Sequence, residues 1–220
     1  FANLKYINGT LSFSYNLELL DIRFSNLKYV GGLSFDNNRS LDGVGGLFNL
    51  EEIGNDGLLI EEDNELFKSL QGLEKVRYIA GDLKLYDSDL RDFSGIYPDG
   101  GLSNLDSIGG SLWLELNRPL FSFNGLNNLK SIGKDLIIQN SFSLVSIFGL
   151  SRLKRIDGRI DIAQNQYLTS LVGLDSIDSE SIQNLSLSSN FELSGCEVLS
   201  ICNYLFNNGS ADIAGNAMNC

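Results

Sequence analysis

The pair Gly-Leu recurs at Gly101-Leu102, Gly125-Leu126, Gly149-Leu150 and Gly173-Leu174, each 24 residues after the last. Around it runs a longer phrase, Gly-Leu-x-x-Leu-x-x-Ile-Gly-x-x-Leu-x-Ile, repeated with drift along nearly the whole chain. A unit of this length cannot bury its own apolar side and must stack on its neighbours, so the chain is predicted to be a solenoid.

Within each unit, two apolar residues alternate with polar ones, the period-two signature of a half-buried strand. These rungs are Leu11/Phe13, Leu33/Phe35, Leu58/Ile60, Leu83/Leu85, Leu112/Leu114, Leu136/Ile138, Ile160/Ile162 and Leu185/Leu187, with Ala211/Ile213 as a candidate ninth. A second apolar track precedes the rungs (Leu105/Ile108, Leu129/Ile132, Leu153/Ile156) and a third follows them (Leu120/Phe123, Leu144/Ile147, Leu168/Leu171). Three apolar sides per turn predict a mainly β protein, a right-handed parallel β-solenoid of about eight to nine coils of 23 to 24 residues. Glycines before the exposed strand, among them Gly31, Gly81, Gly109, Gly133 and Gly158, mark corners that need either positive φ or close coil-to-coil approach.

Just past each strand stands an amide: Asn16, Asn38, Asn117, Asn165, Asn190 and Asn216, with Ser88 and Ser141 substituting and Asn64 one place late. An amide at the same corner of successive coils can bond the turn backbone of its neighbours, so this column reads as a structural ladder. The period breaks between Gly72 and Gly101, a step of 29 residues, and the surplus falls around Tyr97 in a turn-rich loop. Insertions in solenoids map to loops, often on the binding face.

The 220 residues are read as one domain, with residues 1-195 as the solenoid and 196-220 as its C-terminal cap. Residues 196-206 form the one good helix candidate, with Leu199, Cys202, Leu205 and Phe206 on a shared face expected to bury Cys202. Three cysteines allow three pairings; Cys196–Cys220 is the expected bridge, because the final rung returns Cys220 towards the exit of Cys196. A disulfide implies an oxidising compartment. Phe1 lies inside a coil, so an upstream segment carrying a targeting signal or anchor is expected.

Because packing occupies the inward positions, function is sought on the outward ones. Their large members are Leu59, Tyr86, Trp113 and Ile137, on rungs that follow one another, with Lys84, Glu61 and Glu115 among them. Aromatic side chains amid charges suit a protein partner and equally a sugar ring. The expected partner-binding set is therefore Leu59, Glu61, Lys84, Tyr86, Tyr97, Trp113, Glu115 and Ile137; a second copy of the chain would use the same face.

A net charge of −12 argues against a phosphate-backbone partner, and no stretch approaches a membrane span. With no histidine in the chain, histidine-based triads and histidine metal ligands are excluded. Stacked carboxylates Asp36/Glu61 and Glu62/Asp87 leave glycan hydrolysis and Ca²⁺ binding as minor readings. No catalytic residue, metal or cofactor is expected. Sequons at Asn8, Asn38, Asn184 and Asn208 decide nothing by themselves.

The unit Leu129-x-x-Ile132-Gly133-x-x-Leu136-x-Ile138, followed by Leu144-x-x-Ile147-x-Gly149-Leu150, resembles the leucine-rich L domain of the insulin and epidermal growth factor receptor families. The tail, from Gly173 to Asp178 through Ser186–Asn190 and Cys196-Glu197-Val198-x-Ser200-Ile201-Cys202 to Cys220, resembles the last repeat and cap of secreted or surface leucine-rich proteins of bacteria. These resemblances imply a non-catalytic extracellular recognition or adhesion module that binds a protein or glycan on the main sheet face. The alternative is a structural spacer that presents other domains.

Overall fold

The computed structural model describes residues 3–62, 64, 66–95, 100–207 and 209–217. Among them run thirteen strands: β1 (Tyr6–Ser14), β2 (Tyr29–Asp36), β3 (Glu52–Glu61), β4 (Tyr78–Ile79), β5 (Leu83–Tyr86), β6 (Ser107–Ile108), β7 (Leu112–Glu115), β8 (Ser131–Ile132), β9 (Leu136–Gln139), β10 (Arg155–Ile156), β11 (Arg159–Ala163), β12 (Asn184–Ser188) and β13 (Ala211–Ala214). A single helix, α1 (Leu199–Phe206), lies near the C-terminus. Every strand pairing is parallel and joins one coil to the next. The chain is a mainly β solenoid of stacked coils.

The main ladder runs β1-β2-β3-β5-β7-β9-β11-β12-β13, and its register aligns Leu11, Leu33, Leu58, Leu83, Leu112, Leu136, Ile160, Leu185 and Ala211. The nine predicted rungs are therefore the observed ones. A narrower ladder, β3-β4-β6-β8-β10, carries the second apolar track. In the first three coils the two tracks lie on one long strand with a register shift between them; from β4 onward they separate into two strands per coil. The third side is held by short 3-10 turns at Gly45–Leu47 and Phe148–Leu150 and by isolated bridges such as Ser122 to Ser146, while a 3-10 turn at Ser179–Ser181 stacks on β10 and continues the second track. One hydrophobic core threads the coils, with inward Leu and Ile fully buried from Leu33 to Leu187. Phenylalanines continue it from coil to coil, Phe13 on Phe35 at 5.4 Å, Phe35 on Phe67 at 5.1 Å and Phe93 on Phe123 at 5.5 Å between ring centres. Each fully buried side chain of this size stabilises the fold by roughly 1.5–3 kcal/mol.

Of the two options the glycines offered at the corners, the structure takes close approach. Gly31, Gly81, Gly109, Gly133 and Gly158 do not adopt positive φ; they are required by close approach, since a Cβ on Gly133 would stand 2.3 Å from the Gly109 carbonyl oxygen. The left-handed backbone instead falls one step past each main strand, on Tyr15, Asn37, Glu62, Asp87, Leu116, Asn140, Gln164, Ser189 and finally Gly215. The N–H of Tyr15 through Ser189 in this column donates to the next coil, as from Leu116 to Gln139 O at 3.1 Å. The residue thus closes the strand ladder and turns the chain in one step. That interaction holds eight non-glycine residues in a conformation that costs an isolated L-residue about 1–2 kcal/mol.

The next residue is the amide of the ladder. Asn165 donates from Nδ2 to Ile138 O (2.9 Å), and its Oδ1 accepts from Ser141 N (3.0 Å). Asn190 repeats the pattern on Ile162 O and Asn165 N, and Asn216 on Leu187 O and Asn190 N. Asn117 serves Leu85 O and Ser88 N, and Asn38 serves Phe13 O. Buried Asn38 belongs wholly to this scaffold, so its sequon is closed to a glycan. Ser141 is the weak step: its buried Oγ has no hydrogen-bond partner. Ser141→Asn should place Oδ1 toward Asn117 N and Nδ2 toward Leu114 O, raising stability by about 1–2 kcal/mol in a denaturant melt.

The cap departs from expectation. Cys196 is disulfide-bonded, whereas Cys202 is an exposed free thiol; Cys220, its expected partner, lies outside the described residues. Helix α1 buries Ser200, Ile201 and Tyr204, not the predicted face of Leu199, Cys202, Leu205 and Phe206. Phe206 is 87% exposed. The reason is polar. Two hydroxyls lie on the buried face, Ser200 Oγ donating to Leu174 O at 2.7 Å and Tyr204 Oη to Ser210 O at 2.7 Å, each adding a second bond to a carbonyl that also accepts a backbone N–H. Turned outward, those hydroxyls would lose these bonds.

Candidate functional site

The outward residues of the main ladder form two columns fixed by its register. One runs Ser34, Leu59, Lys84, Trp113, Ile137, Asp161, Ser186 and Asp212; the other runs Asp36, Glu61, Tyr86, Glu115, Gln139, Ala163, Ser188 and Ala214. Parallel pairing sets neighbours in a column about 4.8 Å apart, close enough for long side chains to meet across rungs.

They meet at Lys84. Its Nζ bonds Glu61 Oε1 at 3.1 Å and lies 5.1 Å from the Trp113 ring centre and 5.6 Å from that of Tyr86. The indole Nε1–H of Trp113 donates to Glu115 Oε2 at 3.2 Å. The result is an ammonium held between two aromatic faces and a carboxylate. Both ion-pair partners are about seven-tenths buried, with side-chain exposures of 29% for Lys84 and 30% for Glu61. Cation–π contact strengthens when water is partly excluded in this way.

Beside this cluster, Tyr15, Asp36, Glu61, Glu62, Lys84 and Tyr86 line a shallow cleft of about 360 Å³. Burial pushes the Asp36 carboxyl above its ordinary range, and the neighbouring Glu61 charge pushes it the same way. Among the described residues, no group of three or more His, Cys, Asp or Glu side chains is arranged to hold a metal ion.

Seven of the eight residues singled out in the sequence can be placed. Leu59, Glu61, Lys84, Tyr86, Trp113 and Glu115 come together on the exposed face, all half-buried. Ile137 corrects the reading: it faces outward but is only 4% exposed, between Trp113 and Asp161 in register, so it floors the patch without offering contact area. Gln139 and Asp161, bonded at 3.0 Å, form the far border. Tyr97 lies outside the described residues.

Sequence reasoning missed a second surface. Phe121, Phe142, Phe148, Tyr167, Val172 and Phe191 are all exposed on the third side of the later coils. Their signal was present, since each occupies a non-core position in the segment after an amide corner. Attention to the strand columns alone passed over it.

Four of the sixteen basic side chains lie along another edge, interleaved with acids. Backbone bonds stack Lys28, Glu51, Arg77, Asp106, Lys130, Lys154 and Asp178 in one column along the edge of the second track. Here opposite charges pair, Lys28 with Glu51 at 2.7 Å and Lys130 with Asp106 at 2.6 Å. Those cations hold the Glu51 and Asp106 carboxyls below their ordinary range. No helix among the described residues is long and apolar enough to cross a membrane. Comparisons of the chain with protein-family models, curated proteins and solved structures return no match.

Proposed function

We propose that this chain is a non-catalytic recognition or adhesion module, secreted or displayed at the cell surface, that binds a protein or glycan partner on the exposed sheet face around Trp113. The observation that carries this reading is the cluster of Trp113, Tyr86 and Lys84, set between Glu61 and Glu115 at mid-sheet. Elsewhere that face is built mostly of small or polar residues, Ser34, Ser186 and Ser188 among them. Half-buried aromatics with charged neighbours are typical binding hot spots. The disulfide at Cys196 favours an oxidising, extracellular setting. The similarity of its repeats to receptor L domains and to bacterial surface leucine-rich proteins points the same way.

A protein and glycan array probed with the wild-type chain and with Trp113→Ala tests the reading. Partner binding should fall at least about a hundredfold in the variant, the effect of a strong hot spot, while the fold is kept. Undiminished binding by Trp113→Ala, combined with loss in a Phe148→Ser/Phe191→Ser double variant, would move the site to the third side. The alternative, a spacer that presents other domains, is favoured by the mutual satisfaction of Lys84, Glu61, Trp113 and Glu115 within the chain. It predicts that neither set of substitutions affects any interaction.

A further inference from the structure

Lys84 already shows what the aromatic faces beside it can hold. On the exposed side of β2, β3, β5 and β7 and on the residues that end them, five carboxylates, Asp36, Glu61, Glu62, Asp87 and Glu115, accompany one cation, Lys84. Among the described residues only Glu61 forms an ion pair with that ammonium, and Glu115 accepts from the Trp113 indole instead. Among the described residues of this face the acids thus outnumber the one cation by four. Crowding of like charge is felt at Asp36, which burial and Glu61 together make easier to protonate.

We infer that the partner recognised at this face is a basic protein segment, one of whose Lys or Arg side chains takes the place of the Lys84 ammonium between Trp113, Tyr86 and Glu61. This inference rests on the proposed recognition role and names the partner's chemistry. Lys84 acts as an internal stand-in. Its flexible stem lets the head group swing aside, and an incoming cation inherits both ring faces and the Glu61 carboxylate. The displaced Lys84 head then finds other acids within its reach. The five carboxylates of this face and the overall charge of −12 steer a basic partner towards it.

Trp113 is the only tryptophan, so its fluorescence reports from within the site. The full chain is titrated with a tryptophan-free Lys-rich peptide and with a neutral Gly/Ser peptide of equal length, at low and high salt. A saturable change is expected with the basic peptide alone, weakening at high salt. Lys84→Met should bind that peptide about tenfold tighter, because the competing ammonium is gone. Glu61→Gln should bind it more weakly, while Asp212→Asn, the same charge change on distant β13, should leave affinity unaltered.

Lys84→Gln repeats the test should the Met variant not fold, as judged by circular dichroism. The inference is overturned if both Lys84 variants bind the peptide no tighter than wild type, or if Asp212→Asn weakens binding as much as Glu61→Gln. A neutral array partner that needs Trp113, together with no response to the basic peptide, would refute the cationic partner and leave the recognition role standing. Partner binding indifferent to Trp113→Ala would remove the recognition role itself.

Discussion

Asn165→Ala is expected to be the most destabilising single truncation of a polar side chain in this molecule, lowering stability by about 3–5 kcal/mol. The side chain is fully buried and touches three coils at once. It donates to Ile138 O on the coil before, accepts from Ser141 N, and donates to Asn190 Oδ1 on the coil after. Alanine would leave the buried Ser141 N–H without its acceptor, take the side-chain donor from the Ile138 carbonyl, break the bond to Asn190 and add a small cavity, the orphaned N–H alone costing about 1–3 kcal/mol. For a chain of this length the apparent melting midpoint should drop by about 10 °C. Asn16→Ala provides the internal comparison, because Asn16 occupies the exposed first step of the same ladder and should cost under about 1 kcal/mol. Equal losses at the two positions would mean that the amides are not a cooperative column.

Gly133→Ala should cost about as much for a different reason. A Cβ at this position meets the Gly109 carbonyl oxygen at 2.3 Å and its carbon at 3.0 Å, both backbone atoms of the preceding coil. No rotamer change relieves such a contact, so two coils must separate locally, weakening the bonds from Gly133 N to Ile108 O and Lys134 N to Gly110 O. Loss of about 3 kcal/mol or more is expected, beyond the usual range for overpacking a side-chain site. Gly45→Ala is the control, since a Cβ there meets no atom within 4 Å. In a solenoid each coil is stabilised mainly by its neighbours, so hydrogen exchange should show the Gly133 variant opening first around β6, β8 and β10.

These expectations rest on features of unequal visibility in the sequence. The inward register was legible for all nine rungs because period-two alternation within a 24-residue repeat admits one alignment, and a one-residue slip would have exposed every core leucine. The amide ladder was legible for a similar reason, its residues recurring at one offset from each rung. Less readable was the backbone. Residues in the left-handed conformation include Tyr15, Leu116 and Gln164, types that carry no local signal for it, because the inter-coil bond from their N–H imposes the turn. Helix α1 misled through its apolar periodicity: the bonds that the Ser200 and Tyr204 hydroxyls make to the last coil turn a different face inward.

At the candidate site the columns were legible and the contacts were not. Alternation placed Lys84, Trp113, Tyr86 and Glu61 outside, but only the cross-strand register set the ammonium over two rings. Register also explains Ile137, whose outward direction implied exposure but which sits between Trp113 and Asp161 and is 4% exposed. The aromatic surface at Phe121, Phe148 and Phe191 escaped because corner segments have no alternation from which direction can be read.

Acrylamide quenching of Trp113, measured before and after saturation with a partner that the array identifies, tests the account most directly. A half-buried indole on the outer sheet face should be measurably quenched in the free chain and strongly protected in the complex. Quenching that is already negligible in the free chain, or that stays the same once the partner is bound, would contradict it.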